Sequence, residues 1–173
     1  MQTQKDIVRE QILSVVCKLF LRRGFSGVSM RDISKDSGVG LSNIYNYFKN
    51  KNDIFGAIVK PALDKLFTAG DKYHAEEIED IMVLTNKEHH QSIIGDYLAH
   101  IIKYRVPYKL LFTCSQGSAY ANFKDKYCDE MMRDGKEFFV ELKRRYPDVK
   151  CDFSDTFLRL LTLTNLSLYE LCE

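Results

Sequence analysis

The stretch Ser29–Phe55, SMRDISKDSGVGLSNIYNYFKNKNDIF, constrains the fold of this chain more than any other. Ser29 carries the hydroxyl of a helix N-cap. Asp32 stands where a side chain can reach back to the cap's own N–H, which makes a capping box. Met30 and Ile33 turn inward. Gly38 ends the helix abruptly, because glycine enters the left-handed backbone region without the steric penalty of a Cβ. Val39 plugs the angle that follows. Ile44 and Phe48 are one helical turn apart and give a second helix a buried face. The other face carries Leu41, Ser42, Asn43, Asn46 and Tyr47. Asn50 caps a third helix, with Asp53 at its capping-box position. A helix, a glycine turn and a helix with a polar outer face are the parts of a helix-turn-helix, whose second helix enters the major groove of DNA.

The run Gly38-Val39-x-x-x-x-Ile44-Tyr45-x-Tyr47-Phe48-x-x-Lys51-x-x-Ile54-Phe55 resembles the DNA-binding domain of TetR-family transcriptional regulators, over residues 5–60. The glycine turn, Tyr45, Phe48 and Lys51 are all in register. That is more specific than a bare helix-turn-helix pattern, which unrelated helical hairpins imitate. Two positions depart from the common pattern: Gly40 stands where a capping serine is usual, and Leu41 where a polar or basic residue is frequent. The resemblance implies a cytoplasmic regulator, commonly a two-fold dimer built through its last helices, with a helical body that binds a small inducer.

Charge points the same way. Residues 1–60 hold 10 Lys/Arg against 5 Asp/Glu, and residues 61–173 hold 15 against 19. A basic end joined to a mildly acidic body suits a protein that lays one end on phosphates. No apolar run is long enough to span a membrane, and the first residues lack a secretory signal. The five cysteines are scattered, with no Cys-x-x-Cys pair, which favours reduced thiols. His74, His89 and His90 match no metal-ligand spacing, so no metal or other cofactor is expected.

The rest of the chain reads as helices. Val8, Ile12, Val16, Leu19 and Phe20 form a stripe in a first helix over residues 5–24, ended by Gly24. Phe25 and Val28 cover the helix-turn-helix core. The basic residues off the stripe, Lys5, Arg9, Lys18, Arg22 and Arg23, are a solvated face with one or two candidates for DNA phosphate. A long helix over 51–73 contains Pro61, which lacks an N–H and crowds the preceding turn, so a kink or a break is expected there. Further helices are expected over 91–105, 121–146 and 153–172, with a short one holding Leu110–Cys114. Residues 74–90 read as a short helix and a loop. No stretch alternates as a β-hairpin does. The expected fold is all-α: a three-helix DNA-binding domain over 1–52, then a helical-bundle ligand-binding and dimerisation domain over 53–173.

Residue types assign the roles. Arg31, Tyr45, Tyr47 and Lys51 are candidates for the DNA backbone. Asn43 can pair bidentately with adenine, Leu41 can meet a thymine methyl, and Ser42 and Asn46 are further base-edge candidates. The partner is double-stranded DNA, expected as a palindromic operator read by a homodimer. The last helix, with Phe157, Leu158, Leu160, Leu161, Leu163, Leu166, Leu168 and Leu171, is apolar on more than one side, so one face is expected on the bundle core and another at the interface. Aromatic residues crowd 97–157, and a small, largely apolar effector is expected against Tyr104, Tyr108, Phe112 and Tyr120. On this reading the chain is a repressor released by its ligand. The alternatives are a helix-turn-helix used only for protein contacts and, more remotely, a small helical enzyme. No catalytic nucleophile with an activating base is visible.

Overall fold

α1 (Gln4–Arg23) buries Ile12, Leu13, Val16, Leu19 and Phe20, the three-and-four spacing that puts them on one side of a helix. The computed structural model describes residues 4–80, 82–83, 86–150 and 152–170. The side chains of His74 and Leu168, together with Cys151, Leu171 and Cys172, lie outside what is described. Gly24 closes α1 at φ 67°, with its N–H donating to the Phe20 carbonyl at 2.8 Å.

α2 (Met30–Ser37) opens on the capping box expected of Ser29 and Asp32 and closes on Gly38 at φ 67°. α3 (Leu41–Ile44) is a single helical turn, shorter than the apolar pattern suggests. Beyond it the backbone continues in tight turns, with the Tyr47 and Phe48 N–H groups both donating to the Ile44 carbonyl at 3.0 Å. The second helix of the motif is therefore one α turn prolonged by turn structure, too short to be helical without tertiary packing.

α4 (Lys51–Glu79) is one helix with Pro61 inside it. The alternative to a kink, a break at Pro61, does not divide it, and the helix runs on beyond the residue 73 expected as its end. Asn50 caps α4 through its Oδ1, which accepts from the Asp53 N–H at 3.0 Å. The Asp53 carboxylate reaches back to the Lys49 N–H at 3.0 Å, one residue before the cap. α5 (Lys87–Lys103) is capped by Asn86 and is followed by α6 (Arg105–Lys109). Leu110–Cys114 is a wider π-helical turn. α7 (Phe123–Arg145) and α8 (Asp155–Glu170) complete the described chain, which contains no strand.

Two compact units emerge. The first joins Met1–Leu63 to Val106–Asn122, and the second joins Asp64–Arg105 to Phe123–Glu173. In the first, the rings of Phe20, Phe25 and Phe55 meet pairwise with centroids 5.4–5.5 Å apart, and Tyr120 lies against Phe55 at 5.6 Å. Each such pair contributes about 0.5–1.5 kcal/mol beyond area burial. Ile33, Val39, Ile44 and Phe48 extend this core beneath α2 and α3. In the second unit α7 packs on α8, with Tyr127, Cys128, Leu142, Leu158 and Leu166 buried.

Candidate nucleic-acid interface

Three buried apolar side chains, Val39, Ile44 and Phe48, anchor the segment that runs from the glycine turn through α3. Fixing them on the core side leaves Ser42, Asn43, Tyr45 and Asn46 exposed, with Leu41 and Tyr47 half-buried. The expected base-reading and backbone residues thus share one short surface. Asn46 Nδ2 donates to Asn43 Oδ1 at 3.3 Å. A carbonyl oxygen has two lone pairs, so Asn43 Oδ1 can accept again while its own amide group donates. Asn46 therefore leaves the Asn43 amide with a free acceptor lone pair and its own donors.

Several polar groups that hold this surface escape a reading of the motif alone. Gln11, on α1, donates from Nε2 to the Ser37 carbonyl at 2.8 Å and so satisfies an orphan carbonyl at the end of α2. Ser34 Oγ donates to the Val39 carbonyl at 2.8 Å, and the Val39 N–H donates to Ser37 Oγ at 3.3 Å. The two serines bracket the glycine turn from inside. Their spacing in Ser34-x-x-Ser37 is a local signal that could have been read. Gln11 gives no such signal, because its partner is 26 residues away.

Lys51 sits differently from a free phosphate ligand. Its Nζ donates to the Phe25 carbonyl at 2.7 Å and to the Val28 carbonyl at 2.6 Å, and lies 4.1 Å from the centre of the Phe25 ring. Burial lowers the pKa of this ammonium, and the Asp32 carboxylate partly offsets the shift. Asp32 itself accepts from the Ser29 hydroxyl at 2.6 Å and the Ser29 N–H at 2.8 Å, with Arg23 at 3.3 Å. Those bonds, the hydroxyl first, hold its pKa at about 2.

The basic face of α1 is partly used within the fold. Arg22 pairs with Asp36 at 3.8 Å and Arg23 with Asp32, both across to α2, while Arg9 lies 5.4 Å from the centre of the Phe48 ring. Arg31 is exposed one residue into α2.

The four expected effector-lining rings fall in two units. Tyr108, Phe112 and Tyr120 belong to the first compact unit and Tyr104 to the second. Tyr108 is fully buried, with its hydroxyl donating to the Ala62 carbonyl at 3.2 Å and its ring stacked with Phe112 at 6.1 Å. Tyr104 rests against His100 at 4.8 Å. Among the described residues no group of three or more His, Cys, Asp or Glu side chains could hold a metal ion, and no helix is long and apolar enough to cross a membrane.

The comparisons with known proteins fall on this geometry. Residues 12–58 match the family described as bacterial regulatory proteins, tetR family. HTH-type transcriptional regulators of Staphylococcus aureus strains USA300 and NCTC 8325 / PS 47 are each 24% identical to this chain over 156 residues, covering 89% of it and 73% of their own length. One from strain MRSA252 is 26% identical over 108 residues, 61% of this chain and 52% of its own. A Clostridium perfringens protein described as a fatty acid metabolism regulator shares the fold, with a TM-score of 0.54 at 17% identity over 92% of this chain and 82% of that one. The matched segment contains the capped α2, the Gly38 turn, the anchored α3 and the start of α4, so the likeness to the tetR family falls on the helix-turn-helix, and the relatives matched over most of the chain are helix-turn-helix transcriptional regulators.

Proposed function

We propose that this regulator is a cytoplasmic repressor that holds a palindromic operator as a homodimer and releases it when a small, largely apolar ligand binds its helical body. The observation that carries the DNA half is the anchored α3 surface. Its buried side is fixed by Val39, Ile44 and Phe48, and its outer side carries Leu41, Ser42, Asn43, Tyr45, Asn46 and Tyr47. On this reading Asn43 reads an adenine, Leu41 meets a thymine methyl, Ser42 and Asn46 support them, and Arg31, Tyr45 and Tyr47 hold the backbone. Two of the three N–H bonds of Lys51 are committed inside the fold, which leaves one for a phosphate.

The ligand half rests on the aromatic second unit. Phe138, Phe139, Phe153 and Phe157 form a chain of ring contacts 4.8–5.2 Å apart, and the buried Tyr127 lies on the same helix as the first two. Of the four rings expected to line the site, Tyr104 belongs to this unit and is part-buried, while Tyr108, Phe112 and Tyr120 belong to the first unit. A ligand releases DNA only if it binds the DNA-free conformation more tightly, and operator DNA must then weaken the ligand by the same factor.

Nuclease protection of the DNA beside the protein's own gene, repeated across a salt series, tests the reading. Protection of a two-fold-symmetric site is expected, with log affinity falling linearly in log salt by about 0.9 per phosphate contacted. Absence of protection would favour a helix-turn-helix that acts through protein contacts. Calorimetry with a panel of uncharged apolar compounds, with and without that operator, tests induction. Equal affinity in both titrations rules a compound out as inducer.

A further inference from the structure

We propose that residues 106–122, outside the family-matched segment, belong to the DNA-binding machinery: the loop Ser115–Tyr120 is a clasp that positions the helix-turn-helix. The proposal rests on the DNA-binding reading above and adds residues to it. Val106–Asn122 packs in one compact unit with Met1–Leu63, although the chain on either side of it belongs to the other unit. Three hydrogen bonds tie it down. The Phe25 N–H donates to the Cys114 carbonyl at 2.8 Å, Ser26 Oγ to the Gln116 carbonyl at 2.6 Å, and the Ala119 N–H to Asn52 Oδ1 at 2.8 Å.

Two glycines make the approach this close. A Cβ on Gly117, which lies at φ 83°, would fall 2.3 Å from Ser26 Oγ, and a Cβ on Gly56 would fall 2.9 Å from Tyr120 Oη. Contacts so short that only hydrogen fits between them leave little freedom for the loop to shift while it stays bound.

The places gripped are what make this a positioning device. Phe25 and Ser26 lie in the turn that supplies both carbonyls to Lys51 and leads directly to Ser29, the cap of α2. Asn52 and Gly56 lie in the opening turns of α4, just after α3 and the Asn50 cap. The clasp therefore holds the chain immediately before α2 and immediately after α3, the two points where the helix-turn-helix joins the rest of its unit. The polypeptide enters the clasp from Arg105 and leaves it at Phe123.

Full-length Gly56→Ala and Gly56→Ala/Tyr120→Phe test this. Alanine is the better helix former, so the first change favours α4 locally and disturbs only the ring above it. Removing the Tyr120 hydroxyl then deletes the colliding atom. Two readouts are taken: affinity for operator and random duplexes, and amide hydrogen exchange of the free protein. Gly56→Ala is expected to weaken operator binding roughly tenfold, an ordinary size for coupling between sites. It should also speed exchange at Phe25, at Ala119 and through Ser29–Phe48, and Tyr120→Phe should restore both readouts. Ser26→Ala, which deletes the bond to Gln116 without adding an atom, should move both in the same direction. Wild-type DNA affinity in Gly56→Ala and Ser26→Ala, or a loss that Tyr120→Phe does not restore, overturns the proposal. If the wild type binds no duplex, the DNA-binding reading is what fails. Exchange still judges the clasp, and unchanged exchange through Ser29–Phe48 in both variants overturns it.

Discussion

The ammonium of Lys51 offers three N–H bonds, and the fold takes two of them at 2.7 and 2.6 Å. A charged donor on backbone carbonyls is among the stronger hydrogen bonds, worth about 1.5–3 kcal/mol. Lys51→Met keeps the stem and deletes both bonds. It is expected to cost about that much in urea unfolding. It should weaken DNA binding and lower the salt slope by about one, as loss of a phosphate contact through the third N–H does. An unchanged slope would confine Lys51 to holding the 25–28 turn. Asn43 makes the opposite case, since its side chain is exposed and its oxygen accepts from another exposed amide. Asn43→Ala should leave stability within the small range typical of surface changes. It should cost about 1–3 kcal/mol on the operator and relax specificity at one base pair. Equal losses on operator and random DNA would make Asn43 a positioning residue.

At the scale of the element, α2 depends on one short-range device. Ser29 and Asp32 exchange hydrogen bonds in both directions, and the carboxylate is held at about 2 against an ordinary 3.8. A depressed carboxylate pKa stabilises the fold above its unfolded value, and that contribution is lost as pH falls through the folded one. The window is therefore about pH 4 down to pH 2. Ser29→Ala should cost about 0.5–2 kcal/mol at neutral pH, as N-cap losses do. The gap between variant and wild type should narrow as the pH is lowered through that window. A gap that holds constant to pH 2 would show that the cap works without the carboxylate. This device is legible in the sequence because all its partners lie within one turn, as do the Gly38 stop and the Asn50 cap. Longer-range features are not. The Lys51 carbonyls are 23 and 26 residues away, and the Ser26–Gln116 bond joins residues 90 apart. Local patterning carries nothing about either. The same gap explains the rings: aromatic spacing marks Tyr108 and Tyr120 as inward-facing but is silent on which unit they face into. The π-helical turn at Leu110–Cys114 likewise has no residue signature.

At the scale of the molecule, the apolar side chains left uncovered are as informative as the core. Along α8, Leu158, Thr162 and Leu166 are buried, while Phe157, Leu160, Leu161 and Leu163 are 42–62% exposed. Val140, on the neighbouring α7, is 70% exposed. Leaving several large side chains of one helix in water forgoes about 1.5–3 kcal/mol for each that could be fully buried. Large exposed apolar side chains concentrated on one helix are the kind of feature that marks interaction surfaces. The proposed DNA reading independently calls for two copies, because an α3 one turn long would meet too few bases for a selective site. Two-fold pairing through α8 would satisfy both demands, since an isologous interface sets the same patch of each subunit against the other. Leu161→Glu puts a carboxylate into that patch, and burying it unpaired would cost more than the contact gains. The expected result is a monomer in sedimentation at micromolar concentration, with near-normal helicity by circular dichroism. Operator affinity should fall much further than random-DNA affinity, because phosphate contacts survive in one subunit while the paired half-sites do not. A wild type that is itself monomeric at that concentration, yet binds its operator tightly and protects a single half-site, would remove the dimer from this reading and leave α8 to face some other partner.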